Sequence, residues 1–535
     1  MPTISQQTQN LIGQYKSWYD SLQKKEGTAT IHVDEVASQV AAIYEKIRGI
    51  IDWREEHLLR RGAIERILKR RLFLRIGEKV EARPFILELI RAGHFPNDKV
   101  EELKIEMVQE ALDKYIYIVG NSPQTKNEKN KIHLQNWLST IAACEVEEIL
   151  DPPRKERILI DFMTSMMKEK ITLKNNLSEE EKNIQIYIAV QKALFKLDAP
   201  IITYHLLKRR FEAWRFLRKS ESDSGPLEEI TKNIYSVWKD IEKKIHHPLA
   251  EKFYRICERY DTPYMILGDI LSQDPLGAHE KLNNPEALEN DIKKFYQIRL
   301  RQQRSRVSRA AVYSTISIFV TKILIAFLLE YLIIDKSILH QQPSWQTLGI
   351  NIAIPPLLML ILVLSIRPPK KGNIEKVIIE TMKITYEKEQ KDTYLIKSSY
   401  EKNSIMKVVI FILYLITFLF SFWIFWILLD EINFTWPSKI VFVVFLSLIA
   451  FAGTKIKERA KELSVEEEKG GFFGFIMDWI SLPFIQVGKW LSGQWTKYNT
   501  VLVFLTTLVD LPFQVLIEFL EQWRYFVKEK KEEIH

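Results

Sequence analysis

Apolar residues follow two regimes along this chain. From Ile31 to Tyr296 they recur at steps of three and four, the spacing that lays a stripe along one side of an α-helix. After the arginines Arg299, Arg301, Arg304, Arg306 and Arg309 they merge into runs of membrane-spanning length. No long two-residue alternation interrupts either regime. The predicted fold is therefore all-α: a cytoplasmic helical bundle domain, then a polytopic α-helical membrane domain of two transmembrane hairpins, then amphipathic or re-entrant C-terminal helices.

Loop signals at 120–130, 151–153, 220–226, 247–248 and 274–284 divide the first regime into about ten helices. The pattern predicts a cytoplasmic helical domain over 1–220 and a second helical bundle over 227–305 that leads into the membrane, with a seam at the linker 220–226.

Four runs have spanning length: 312–334, 346–366, 405–429 and 438–454. The first carries Lys322 near its middle. Its fourteen Leu, Ile, Val and Phe residues, each worth about −0.3 to −0.6 kcal/mol on insertion, outweigh the roughly +2.5 to +3.5 kcal/mol of one central lysine. The runs pair into hairpins over 306–366 and 405–454, joined by a connector over 367–404.

Charge beside the runs sets their orientation, because Lys and Arg near span ends stay in the cytoplasm. The five arginines precede the first run; Arg367, Lys370 and Lys371 follow the second; Lys402 and Lys407 lead into the third; Lys455, Lys457, Arg459 and Lys461 follow the fourth. The opposite loops hold only Lys336 beside Asp335, and Asp430 and Glu431 before Lys439. This predicts a multi-pass protein of the plasma (inner) membrane with both termini cytoplasmic. Trp345 and Trp436 open the second and fourth runs at the outer interface, where an amphipathic ring sits well, though simple packing would also place them there.

The stretch 367–407 holds ten Lys or Arg residues and an amphipathic pattern, Ile374, Val377, Ile378, Met382 and Ile384. Such a helix lies along the inner leaflet or packs on the soluble domain, and the pattern serves both.

The tail, 455–535, contains an approximate repeat: Ser481-Leu482-Pro483-Phe484 leads to Gln494-Trp495, and Asp510-Leu511-Pro512-Phe513 to Gln522-Trp523. Ser or Asp just before proline is a helix-start signature, so both LPF sites are expected to begin helices. Asp510, Gln514, Glu518 and Glu521 then form an acidic stripe opposite Leu511, Val515, Leu516, Phe519 and Leu520. The apolar runs before the two breaks are too short to span alone. The reading is two bent, in-plane or re-entrant hairpins with Trp479, Trp490, Trp495 and Trp523 near the interface; the competing reading keeps proline-kinked spanning helices and gives six spans.

Composition changes this picture little. An apolar share of 47% is ordinary, so clustering and not content carries the membrane signal, and scarce glycine (18 in all) argues for regular structure. The two cysteines, Cys144 and Cys257, are neither CxxC-paired nor beside ligand-spaced histidines, and are expected to be small buried apolar residues. Residues Met1 to Asn10 are polar and show no cleaved secretory signal.

Two helices are strongly basic and share an HLL-basic-Arg opening. One reads His57-Leu58-Leu59-Arg60-Arg61, then Glu65, Arg66, Lys69, Arg70, Arg71 and Arg75; the other reads His205-Leu206-Leu207-Lys208-Arg209-Arg210, then Trp214, Arg215, Arg218 and Lys219. Arg60, Arg61, Arg70, Arg71, Lys208, Arg209 and Arg210 form a candidate anionic-lipid surface, each cation near a leaflet contributing about 1 kcal/mol. Pairing with the many nearby glutamates is the plainer reading. Nucleic acid is disfavoured as a partner, since a domain tethered to the inner leaflet meets lipid at high effective concentration.

No glycine-rich phosphate loop, dinucleotide fingerprint, nucleophile elbow or HExxH zinc helix is found, and His246-His247 beside Pro248 lacks a carboxylate at ligand spacing. No catalytic residue, metal ligand or cofactor is implied. Charge inside the membrane gives the sharpest local hypothesis: Lys322, Glu330 and Asp510 are a candidate intramembrane charge site, for transport, gating or a structural ion pair. The leading functional expectation is a membrane-anchored helical scaffold or interaction protein that presents its large domain to the bilayer, its anionic lipids or a cytoplasmic protein partner. A transporter or channel subunit, assembled as an oligomer around the intramembrane charges, comes next. An unrecognised lipid-acting membrane enzyme comes third.

Overall fold

The computed structural model describes residues 3–22, 29–33, 56–74, 81–123, 128–174, 177–218, 225–326, 345–366, 369, 372–386, 393–396, 404–432, 434–465, 472–497, 519, 523, 526, 527 and 530. Among these the protein is all-helical, with nineteen α-helices and one parallel ladder of two three-residue strands. It divides into two compact units. The first comprises residues 9–258 with 390–397 and 506–535; the second comprises 1–8, 259–389 and 398–505.

In the first unit the helices are α1 (Gln6–Leu22), α2 (Glu56–Leu74), α3 (Ala82–Arg91), α4 (Leu103–Asn121), α5 (Glu128–Leu150), α6 (Arg154–Lys170), α7 (Glu179–Phe195), α8 (Ala199–Arg210), α9 (Pro226–Lys232), α10 (Ile234–Ile245) and α11 (Ala250–Arg259). The strands Ile171–Leu173 (β1) and Tyr394–Ile396 (β2) pair in parallel. The breaks between α4 and α5, α5 and α6, α8 and α9, and α10 and α11 fall at loops read from the sequence, whereas those between α3 and α4, α6 and α7, and α7 and α8 do not. Local chemistry fixes several ends: Ser178 caps α7 by accepting the Glu181 N–H, with three glutamates in the first turn, and Lys196 closes the helix in the left-handed region at φ 50°.

Helix α5 is the axis of this unit. It is buried on nearly every side, from Leu134 through Ile141, Ala142, Ala143 and Val146 to Leu150, and α2, α4 and α8 pack around it. The two helices that share the HLL opening thus flank one central helix. Residues on both sides of the expected seam, Trp214 and Leu217 before it and Leu227, Ile230 and Ile234 after it, belong to a single hydrophobic core. Cys144 and Cys257 are both buried.

The second unit holds α12 (Asp261–Gln273), α13 (Ala278–Asn283), α14 (Pro285–Ile325), α15 (Trp345–Leu364), α16 (Asn373–Thr385), α17 (Ser404–Glu431), α18 (Trp436–Ala460) and α19 (Phe472–Lys497). Helix α14 starts where Asn284 accepts the backbone N–H groups of Glu286 and Ala287 and Pro285 occupies the first turn. It then runs unbroken for 41 residues, through the arginine cluster and into the first apolar run. Helices α14, α17 and α18 are long and apolar enough to cross a membrane. Helix α15, which matches the second apolar run, is also apolar and contains Pro355 and Pro356.

The polar ends of these helices are clasped by side chains. Asn373, at the start of α16, donates to the Tyr296 hydroxyl of α14 (2.9 Å) and to the Leu463 carbonyl after α18 (2.6 Å), and accepts from the Val465 N–H (3.0 Å). Gln303 of α14 donates to the Arg459 carbonyl (2.7 Å), and Arg299 forms a two-pronged ion pair with Asp269 of α12. Residues 4–8 join the same assembly: Ile4 bridges to Tyr386, and the Thr8 hydroxyl donates to the Ile384 carbonyl. Helix α16 is the amphipathic connector; its buried face, Val377, Ile378, Thr381 and Ile384, packs on α12 and α14 of its own unit. Its apolar stripe is therefore used against protein.

The tail departs from the expected helix start. Helix α19 begins at Phe472 and passes through the first LPF site, with Pro483 in its interior. Packing maintains it there. Phe484 is buried against Phe422 and Phe425 of α17, and Gly488 abuts α18, so the helix survives the hydrogen bond that proline removes. The second LPF site, at 511–513, and the acidic stripe lie outside the described residues, apart from Phe519. Helices α17 and α18 meet at their connecting turn through Leu429, Phe434 and Phe442, and α19 packs against both.

Two glycines of α19 give a test of this packing. A Cβ on Gly488 would overlap the Ser447 carbonyl and lie 2.8 Å from the Phe451 Cβ, whereas one on Gly493 meets nothing within 4 Å. Gly493→Ala is expected to hold or raise the thermal midpoint in detergent, by up to about 1 kcal/mol of helix propensity. Gly488→Ala is expected to lower it, by about 1–3 kcal/mol of overpacking. Equal effects of the two would rule out the close approach of α18 and α19.

Candidate functional site

Lys322 lies in the last turn of α14 with 0% of its surface exposed. Its Nζ stands 5.1 Å from the centre of the Phe445 ring of α18, within cation–π range. Glu330 and Asp510, the other members of the sequence-derived charge site, lie outside the described residues. Two buried hydroxyls on α17 and α18 turn back on their own backbone, Thr417 donating to the Leu413 carbonyl and Ser447 to that of Val443, both at 2.8 Å, whereas the buried Ser421 hydroxyl of α17 has no hydrogen-bond partner among the described residues.

The basic helices α2 and α8 spend most of their charge inside the first unit. Arg60 pairs with Asp151 (2.6 Å), Arg61 grips Asp198 with both prongs, and Arg70 and Arg71 share Glu88. Lys208 pairs with Glu148 (2.5 Å) and Arg210 with Asp240. Arg209 is exposed, with its guanidinium 5.2 Å from the centre of the Tyr187 ring. Most of the candidate lipid-facing cations are thus paired with carboxylates of the first unit, aspartates as well as glutamates.

Helix α5 supplies the carboxylates at the centre of the unit. Glu145 accepts from Lys114 (2.6 Å), the Tyr115 hydroxyl (2.7 Å) and the Trp214 indole N–H (3.1 Å), and Lys114 also donates to the Trp214 carbonyl (2.8 Å). One turn on, Glu148 draws Lys208, Arg157 of α6 (2.7 Å), Arg215 (3.6 Å) and the His205 ring (3.9 Å). Burial alone would raise the Glu148 carboxyl, but Lys208 and Arg157 outweigh it and hold the group at about 2. Burial, reinforced by Lys208, pushes His205 down to about 3, where its Nδ1 faces the Gln191 side-chain oxygen at 2.5 Å. Burial also lowers Lys208 to about 8; Arg157 and Arg215 push the same way and Glu148 opposes. Glu147 moves the other way, to about 7, because its burial exceeds the pull of Arg60 and Arg61.

A second cationic group lies in the second unit, where sequence reading used its members only as topology markers. Arg301, Arg304, Arg306 and Arg309 on α14 are exposed, as are Lys457, Arg459 and Lys461 at the end of α18. The Gln303–Arg459 hydrogen bond brings these two distant segments to one level. The cations at the end of α18 also suit its C-terminal dipole. Among the described residues no group of three or more His, Cys, Asp or Glu side chains is placed to hold a metal ion.

The Glu148 cluster gives a pH test. A carboxylate held below its ordinary 4.5 adds stability above that value and loses it as pH falls toward about 2. Glu148→Gln is therefore expected to be less stable than the parent near neutrality, by about 3 kcal/mol. That gap should shrink steadily below pH 4.5, and thermal unfolding over a pH series measures it. A gap that stays constant down to pH about 3 would mean that Glu148 is not held ionised by its neighbours.

No protein-family model, no curated protein and no solved structure is detectably similar to this chain.

Proposed function

We propose that this protein is a membrane-anchored helical scaffold: α14, α15, α17 and α18 cross the plasma membrane, and the chain before α14 forms a large helical domain at the inner leaflet. One observation carries the reading. The apolar windows of α14 and α17 are only 17% and 11% buried within the protein, yet each helix is flanked by charge. Water-soluble surfaces rarely leave so much contiguous apolar area open, so lipid is the medium that suits it. The exposed cations of α14 and α18 share one level at one end of these helices, which fits cytoplasmic retention and contact with anionic headgroups. The hydroxyls of Thr417 and Ser447, bonded within their own helices, suit a closed bundle better than a polar pathway. Burial of Phe484 and contact of Gly488 with α18 support the competing reading of the tail, in which α19 is a proline-kinked spanning helix added to these four. A cytoplasmic protein is the partner class that such a platform would display its domain to.

Lys322 favours a second reading. A fully buried lysine within an apolar helix bundle is the kind of residue that transporters and channels retain. An enzyme acting on lipid has no comparable support among the described residues.

Two experiments decide. A tag at the N-terminus is expected to be protected in intact cells and the chain to resist alkaline carbonate extraction. Replacing Arg301, Arg304, Arg306 and Arg309 with Gln should expose part of the tag population. A tag reachable from outside in the unaltered protein, or release by carbonate, would end the membrane-scaffold reading. Separately, Lys322→Leu is expected to leave ion flux and abundance unchanged in reconstituted vesicles; loss of a measurable flux with the fold retained would move the assignment to the transporter reading.

A further inference from the structure

Several buried carboxylates of the first unit meet a single cation, as in Lys114–Glu145 and Arg61–Asp198. Glu148 is not. Lys208 from α8, Arg157 from α6 and Arg215 from the short 3₁₀ turn Trp214–Phe216 all lie within 4 Å of its oxygens, and Arg209 stands one residue beyond Lys208. Asp161 of α6 also interacts with Arg157, Lys208 and Arg209, and Lys168 adds a further cation. Among the described residues, five cations, Arg157, Lys168, Lys208, Arg209 and Arg215, thus act on Glu148 or Asp161.

The surplus is reachable from outside. Glu148 is 4% exposed, whereas Arg157 and Arg215 are 41% and 30% exposed and Arg209 lies on the surface. A guanidinium presents five N–H donors in a planar fork and an ammonium three, so one carboxylate cannot satisfy them all. Cations in the last turn of α8 favour its dipole, which accounts for Lys208 and Arg209 as structural residues. It does not account for Arg157 and Arg215, which converge on the same point from other elements. Phe216, next to Arg215, is 71% exposed and places an apolar ring at the rim.

We infer that Arg157, Lys208, Arg209 and Arg215 form a binding site for a phosphate monoester, carried either by a soluble small molecule or by a lipid headgroup. Forked guanidinium donors fit tetrahedral oxyanions, and a doubly charged phosphate answers an excess of cations better than a singly charged diester. Glu148 holds the cations in place from beneath, and the ligand completes their hydrogen bonding from the open side. The inference stands apart from the membrane reading, because every residue in it belongs to the first unit.

The test uses the full-length protein in detergent, titrated calorimetrically at constant ionic strength with glycerol 3-phosphate, short-chain phosphatidic acid and short-chain phosphatidylglycerol. Phosphatidic acid is expected to bind about tenfold more tightly than the diester phosphatidylglycerol, and Arg157→Gln and Arg215→Gln should each weaken it about tenfold. Arg209→Gln, a surface change that leaves the core untouched, should weaken it about threefold. Arg255→Gln, at an exposed pair with Glu251, should leave it unchanged. Binding of glycerol 3-phosphate with equal affinity would assign the site to soluble phosphates. Binding of phosphatidic acid alone, reduced by Phe216→Ala, would assign it to a lipid headgroup. Absence of binding by both monoesters, equal binding of the diester, or binding undiminished by the Arg157, Arg215 and Arg209 substitutions would overturn the site.

Discussion

A single helix, α14, carries two incompatible surfaces, and much of the second unit follows from that constraint. Its first half is polar, pairs Arg299 with Asp269 and offers Tyr296 and Gln303 to neighbouring segments; its second half leaves Val312, Ile316, Phe319, Val320 and Leu324 exposed. A continuous helix cannot fold back to hide the second surface, so something apolar must cover it. Where the character changes, Gln303 bonds a carbonyl in the last turn of α18 and Asn373 bonds backbone groups beyond its end, and so they set the level of the neighbouring helix. These are buried or half-buried hydrogen bonds whose loss would leave polar groups unpaired, which makes them strong register markers.

The first unit solves a different problem with charge. Helix α5 is central, and a wholly apolar central helix would pack in several rotations of similar energy. Glu145 and Glu148 give it a preferred one, because each must meet particular cations on α4, α6 and α8. Burial acts on each group beside them: it lowers Lys208 and His205 against the pull of Glu148, and it raises Glu147 against the pull of Arg60 and Arg61. The same arrangement that fixes the core leaves the side chains of Arg157 and Arg215 partly exposed.

Legibility from sequence tracked the range of the forces involved. Helix character, part of the loop positions, the apolar runs and the amphipathic connector were readable, since each depends on residues a few positions apart. The LPF site was misread because a proline flanked by Ser481 has a strong local meaning, and the contacts that override it, Phe422, Phe425 and Ser447, are far away in the chain. The basic arms were visible as composition, but their partners Asp151, Asp198, Glu148 and Asp240 were not. The connector's pattern could serve a membrane face or a protein face equally, and contact with α12 and α14 separated the two.

By itself the sequence determined that the chain is helical and which runs are long and apolar enough to cross a membrane, because period and length are properties of a local stretch. The tertiary structure alone decided where cations meet. It matched most of those on α2 and α8 to carboxylates, left a surplus around Glu148, and brought the basic ends of α14 and α18 together. A charge acts according to its neighbours in space and its access to solvent, and neither quantity is written in sequence separation.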